Sequence, residues 1–156
     1  MTYLMTSIEE RFSAALHKTA RGWRLAIDRR LKDLDLGQAS WMCIAMIAKS
    51  PQPPSQSELA QQLGVENPTM VSMLDRLVKS GFVQRQPSET DRRVKRVVLT
   101  DAGMRVYDTV RKEADGFRKE LLQGIDPEQL RIATELLEVL QRTTEAGGAD
   151  NQGGCA

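Results

Sequence analysis

Apolar residues recur along this chain with two different periods, and the switches between them lay out the secondary structure. From Ile8 to Leu34 the positions Ile8, Phe12, Ala15, Leu16, Thr19, Trp23, Ala26, Ile27, Leu31 and Leu34 step by three and four. That spacing predicts one long amphipathic helix, weakened but not ended by Gly22. A second helix is expected after Gly37, through Trp41, Ile44, Ala45 and Ala48. It should stop before Pro51, because the residue ahead of a proline avoids helical backbone. The PQPPSQ stretch then reads as an extended connector.

Ser55 and Glu58 have the spacing of a capping box, so a third helix is expected over Gln56 to Leu63, closed by Gly64 in the left-handed conformation. Asn67 followed by Pro68 predicts the N-cap and first residue of a fourth helix, running to about Ser80 and stopped by Gly81. Phe82–Arg85 and Lys95–Leu99 each fit a short strand, and the polar segment between them, with Pro87, Ser88 and Asp91, makes a hairpin with a long tip. Thr100 caps a fifth helix of about 20 residues, on the stripe Met104, Tyr107, Val110, Ala114, Phe117 and Leu121. Asp126, Pro127 and Gln129 open a sixth, with Leu130, Ala133, Leu136, Leu137 and Leu140 as its stripe, fraying near Thr144. Residues 145–156 lack the apolar content to offset ordering entropy and are expected to be disordered.

Composition narrows the function classes. The 156 residues are 40% hydrophobic and 28% charged, and no apolar run approaches the roughly 20 residues that span a bilayer. The beginning of the chain has no secretory-signal pattern, so the expected location is cytoplasmic. Two cysteines, Cys43 and Cys155, lie outside any Cys/His cluster, and His17 is the only histidine. Neither a structural metal nor a Ser-His-Asp triad can be assembled from these parts, and no cofactor or enzymatic activity is expected.

Two short helices around a glycine-containing turn, followed at once by a hairpin, have the order of a winged helix-turn-helix. Leu59, Ala60, Leu63, Val65, Val71, Leu74 and Leu77 are expected to pack the two helices together. That leaves Asn67, Thr69, Met70, Ser72, Met73 and Arg76 for other faces of helix four. Asn67, Thr69 and Ser72, near its positive N-terminal end, are the expected readers of base edges. The net charge of +1 carries no information about partners, but its distribution does. Between Arg85 and Arg96 five basic residues face two acids, Glu89 and Asp91. A narrow hairpin suits a minor groove, whose negative potential favours an inserted arginine. Arg93 is the first candidate for that insertion and Arg92 the second. Asp91 is expected to hold a basic neighbour through a salt bridge. Ser55, Pro68, Met70, Met73, Arg76, Arg85 and Lys95 complete the expected DNA-facing set. The same charges would also serve an acidic protein partner.

The segment LAQQLGVENPTMVSMLDRLVKSGFVQRQPSETDRRVKRVVLTDAG resembles the core of the MarR family of regulators, with DRR and a strand ending in LT as its most specific part. RGWRLAIDRRLKDLDLGQASW also resembles the SlyA-like branch. The resemblance implies a mainly α fold with a small β wing. Residues 7–36 and 101–144 would form an α-helical dimerisation domain of helices one, five and six, and residues 37–100 the winged helix-turn-helix. It further implies a homodimer on pseudo-palindromic duplex DNA and a small aromatic acid or phenolic effector, bound near Arg21, Trp41, Met70 and Met73. Ser72 stands where SlyA-like proteins often carry a basic residue.

Overall fold

The computed structural model describes residues 7–149. Helix α1 (Ile8–Arg30) starts at a capping box in which the Ser7 hydroxyl accepts the Glu10 amide and the Glu10 carboxylate accepts the Ser7 amide. It ends earlier than its apolar stripe suggests. The last turn tightens into a 3-10 segment, Lys32–Leu34, which Asp35 closes in the left-handed region at φ 50°. Helix α2 (Gln38–Lys49) stops at Ser50, whose extended backbone suits the following Pro51. Helix α3 (Gln56–Leu63) has the expected capping box, and Gly64 closes it at φ 68°.

In α4 (Asn67–Lys79) the N-cap is Glu66 rather than Asn67, and no side chain caps the helix. Pro68 is tolerated within this first turn because the amides there have no intrahelical acceptor. Strands β1 (Val83–Pro87) and β2 (Lys95–Leu99) pair antiparallel, with Val83 opposite Leu99 and Pro87 opposite Lys95. The first strand therefore lies one residue later at its start, and two later at its end, than the sequence pattern suggests. Beyond the strand ends the Phe82 carbonyl still accepts the Thr100 amide at 3.1 Å, in the same register. Helices α5 (Asp101–Leu122) and α6 (Pro127–Ala149) complete the order. The sixth helix continues five residues past Thr144, so residues 145–149, expected to be disordered, are helical. The rest of the expected tail, with Cys155, lies outside the described residues.

The chain divides into two units after Arg118, inside α5. The first contains two apolar clusters. The larger joins α2, α3, α4 and both strands through Ile44, Leu59, Met70, Leu74, Leu77, Val83 and Val97. The smaller joins α1, α2 and α5 through Ile27, Leu31, Trp41 and Val110. At its edge Trp23 meets Phe117 edge-on, and the Arg30 guanidinium lies 5.2 Å from the Phe117 ring centre. In the second unit, the Asp126 carboxylate accepts the Gln129 amide at the start of α6. The expected stripe of α6 remains uncovered: Leu136 is 48% exposed, and Ile132, Leu137, Val139 and Leu140 are also exposed. Among the described residues no helix is long and apolar enough to cross a membrane, and no group of three or more His, Cys, Asp or Glu is placed to hold a metal ion.

The joint between wing and α5 is built on Thr100 and Gly103. The Thr100 hydroxyl donates to the Gly81 carbonyl at 2.5 Å and accepts the Gly103 amide at 3.1 Å, capping α5 as its position predicts. A Cβ at residue 103 would sit 2.0 Å from the Phe82 carbonyl oxygen, so only glycine permits this approach. Gly103→Ala should therefore destabilise the fold by about 1–3 kcal/mol, as overpacking does. Helix propensity alone would favour alanine by about 1 kcal/mol. The two causes have opposite signs, and the urea midpoint decides between them.

Cys43 is fully buried in the larger cluster, and desolvation pushes its thiol up to about 12. The thiolate is the reactive form, so this environment opposes redox sensing at neutral pH. In a Cys155→Ser background, iodoacetamide at pH 8 should modify the native protein more than about a hundredfold slower than the urea-unfolded chain, because burial suppresses the thiolate and blocks access. Linkage has a definite sign here. The unfolded thiol ionises first, so this contribution to stability is complete below pH 9.0 and is lost as pH rises toward 12.

Candidate nucleic-acid interface

The side of α4 that remains available follows from the side that is buried. Met70, Met73, Leu74 and Leu77 step by three, one and three, and all four lie in the core, with Met70 at 0% and Met73 at 3% exposure. This corrects the sequence reading in two ways. Met70 and Met73 are core residues whose side chains do not reach the surface, and Val71, expected in the core, is 37% exposed. A helix has one apolar stripe, and the i, i+3, i+4, i+7 set beginning at Met70 fills it. Asn67, Pro68, Thr69, Ser72 and Arg76 are exposed, as a DNA-facing surface requires.

The wing is fastened to both helices of the helix-turn-helix. Arg85 on β1 pairs with Asp75 of α4 at 2.7 Å. Arg96 on β2 pairs with Glu58 of α3 at 3.1 Å and donates to the Pro53 carbonyl at 3.5 Å. Just ahead of α3, the Pro54 carbonyl accepts the Val97 amide at 2.9 Å, and Ser55 forms an antiparallel bridge to Arg96. Glu58 thus has two tasks, closing the capping box on Ser55 and holding β2. Its carboxyl lies below the usual carboxylate range, chiefly through the Ser55 backbone N–H, then through the Ser55 hydroxyl and Arg96.

These ties divide the basic residues of the hairpin. Arg85 and Arg96 are engaged with acids, whereas Arg92, Arg93 and Lys95 are exposed and form no side-chain hydrogen bond or ion pair among the described residues. At the tip, Asp91 forms no ion pair among the described residues, contrary to its expected role. Its carboxylate instead accepts the Arg93 backbone N–H at 2.9 Å, and its carbonyl accepts the Val94 amide at 3.0 Å. This is the turn that a short acidic side chain makes with the amide two residues on. It sets the path of the backbone under Arg93 rather than neutralising a guanidinium.

Arg93, Val94 and Lys95 face Ser55, Gln56 and Ser57 across a cleft of about 430 Å³. Amide N–H groups at the start of α3, serine hydroxyls and two cationic side chains converge there, a combination that suits a phosphate oxygen. Of this group the sequence reading named Ser55, Arg93 and Lys95. It missed Gln56 and Ser57, although their place in the first turn after a capping box was a usable signal.

The four residues expected to hold an effector do not line one cavity within the chain. Arg21 is exposed on α1. The Trp41 indole N–H donates to the Asp28 carboxylate at 3.0 Å, within the smaller cluster. Met70 and Met73 fill the larger cluster. The apolar positions were used up by two separate cores, and no shared wall was left between them.

Comparison with known proteins agrees with this architecture. A model of the MarR family matches residues 36–95. The crystal structure of transcriptional regulator PA3341 is 36% identical, with a TM-score of 0.81 over 86% of this chain and 98% of that one. A MarR transcriptional regulator from Methanosarcina mazei Go1 is 24% identical, with a TM-score of 0.77 over 88% and 98% of the two chains. CouR from Rhodococcus jostii RHA1, solved bound to p-coumaroyl-CoA, is 19% identical, with a TM-score of 0.74 over 86% and 94%. With six α-helices and a two-stranded wing among the described residues, and a transcriptional regulator 36% identical matched over nearly its whole length, the chain belongs to the MarR family of transcriptional regulators.

Proposed function

We propose that this regulator binds pseudo-palindromic duplex DNA as a homodimer, acts as a cytoplasmic repressor and responds to a small aromatic ligand. The observation that carries the DNA reading is the division of charge on the wing. Arg85 and Arg96 are held by acids of the helix-turn-helix, while Arg92, Arg93 and Lys95 remain available beside the α3 cleft. In this reading Arg93 enters the minor groove with Arg92 behind it. Asn67, Pro68, Thr69, Ser72 and Arg76 of α4 face the major groove, and Ser55 and Lys95 hold a phosphate between helix and wing.

The dimer reading rests on the exposed apolar face of α6, together with Ile8, Phe12 and Leu16 on α1. Exposed apolar stripes of this kind are costly in water unless a partner covers them. Two recognition helices related by a two-fold axis meet successive major grooves about 34–36 Å apart. The α1 segment supports placement in the SlyA-like branch. Support for a ligand comes from CouR, and Arg21, exposed on α1, is the residue of the expected set still suited to pairing the carboxylate of an aromatic acid.

Operator binding followed by fluorescence anisotropy should weaken roughly 10³–10⁵-fold between 50 and 200 mM salt if the dimer neutralises about 6–10 phosphates. A flat salt dependence would sink the DNA reading. Arg93→Ala should lose about 1–3 kcal/mol on a specific site with an unchanged melting temperature. Unchanged binding would make Arg93 a merely solvated charge. The double variant Leu136→Glu, Leu140→Glu should run as a monomer in light scattering and lose operator binding. A dimer of undiminished affinity would place the interface elsewhere.

A further inference from the structure

Helix α2 joins the two apolar clusters. Its Cys43, Ile44 and Ile47 belong to the larger cluster, and its Trp41 belongs to the smaller one, with Ile27 and Leu31 from the end of α1. The larger cluster also holds α3, α4 and both strands, so whatever orients α2 against α1 orients the winged helix as a whole.

Apolar burial is non-directional. A hydrogen bond is directional, and one crosses this joint: the Trp41 indole N–H donates to the Asp28 carboxylate at 3.0 Å. The first turn of α2 has no side-chain cap, because Gly37 supplies none. Trp41 closes that turn through its backbone N–H to the Gly37 carbonyl, so the indole bond ties the start of α2 to α1. Asp28 stands four residues after Arg24, the spacing at which helical ion pairs form, yet it forms no ion pair among the described residues. Trp41 is 7% exposed, so without this acceptor its N–H would have little access to water.

The same helix reaches the apolar surface read above as part of the dimer interface. Ile8, Phe12 and Leu16 are exposed there, and Asp28 lies about 18 Å beyond Leu16 along α1. A change of angle at Asp28 therefore displaces α4 relative to that surface, and in a two-fold dimer it does so once in each protomer.

We propose that Asp28 is a positioning residue for operator recognition: acting through Trp41, it fixes the angle between α1 and the winged helix, and so the separation of the two recognition helices. This rests on the DNA-bound homodimer proposed above and adds the residue that sets the accepted half-site spacing. One extra base pair moves a half-site about 3.4 Å along the duplex and turns it about 35° around the axis. A dimer with a fixed joint rejects that site, and a dimer with a loose joint tolerates it.

Three probes read by fluorescence anisotropy test it: a palindromic duplex selected from random-sequence DNA by the full-length wild-type protein, the same duplex with one base pair inserted between its halves, and a duplex with a single half-site. The wild type should bind the selected duplex at least about tenfold tighter than the inserted one. Asp28→Leu should narrow that ratio to about threefold or less, by weaker binding of the selected duplex, with half-site affinity and dimer mass unchanged. Asp28→Asn keeps an acceptor oxygen and should retain the wild-type ratio. Trp41→Phe keeps a ring and removes the donor. It should narrow the ratio as Asp28→Leu does, and the two substitutions together should narrow it no further. If Asp28→Leu does not fold, Trp41→Phe decides. The proposal is overturned if these variants discriminate spacing as the wild type does, if half-site affinity falls in parallel with palindrome affinity, or if Asp28→Asn behaves as Asp28→Leu. A wild type that binds the half-site as tightly as the palindrome, or ignores the insertion, sinks the dimer reading and this proposal together. A wild type that discriminates beside variants that do so equally sinks this proposal alone.

Discussion

The burial of one face of α4 is the constraint on which the interface depends. Met70, Met73, Leu74 and Leu77 meet residues from α2, α3 and both strands, and that packing fixes the rotation of the helix about its own axis. A turn of one residue would bury Val71, present Met70 to solvent and carry Thr69 and Ser72 to a different side of the helix-turn-helix. The methionines are adaptable fillers at the centre of a core shared by three helices and a hairpin. Their burial decides which polar side chains are left to read a base.

The wing takes its position from interactions that are individually weak. Partly exposed ion pairs such as Arg85 with Asp75 and Arg96 with Glu58 contribute at most about 1 kcal/mol each. Their importance is geometric, since one holds each strand to a different helix. The Pro54 to Val97 hydrogen bond and the approach of Gly103 to Phe82 fix the same hairpin from its two other ends. A hairpin of two five-residue strands is marginal alone, and these ties let it present a defined tip.

Charge in this protein is distributed by use rather than by composition. The net charge of +1 conceals a wing whose exposed cations stand near its tip and a first helix on which Arg11, Lys18, Arg21, Arg24 and Arg29 are exposed and form no ion pair among the described residues. On α5 and α6, by contrast, Asp115, Glu128 and Glu135 are locked to arginines within the same helix. The apolar stripe of α6 itself remains open, which is the pattern of a surface made to be covered.

Local physics determined much of this from the sequence. Six helices, the two strands, the Ser55–Glu58 box and the Gly64 and Thr100 caps depend on contacts a few residues apart, and all were legible there. The winged helix-turn-helix and the exposed arginines of the tip were legible for the same reason. Tertiary structure alone decided which stripe of α4 is buried, because both Met70 and Val71 begin plausible apolar sets and only the core selects one. It also decided that Asp91 shapes a turn, that Arg85 and Arg96 are tied, and that Trp41 and the two methionines fill separate clusters. Those outcomes depend on partners up to 43 residues away, as between Arg96 and Pro53, and the local pattern carries no record of such distances.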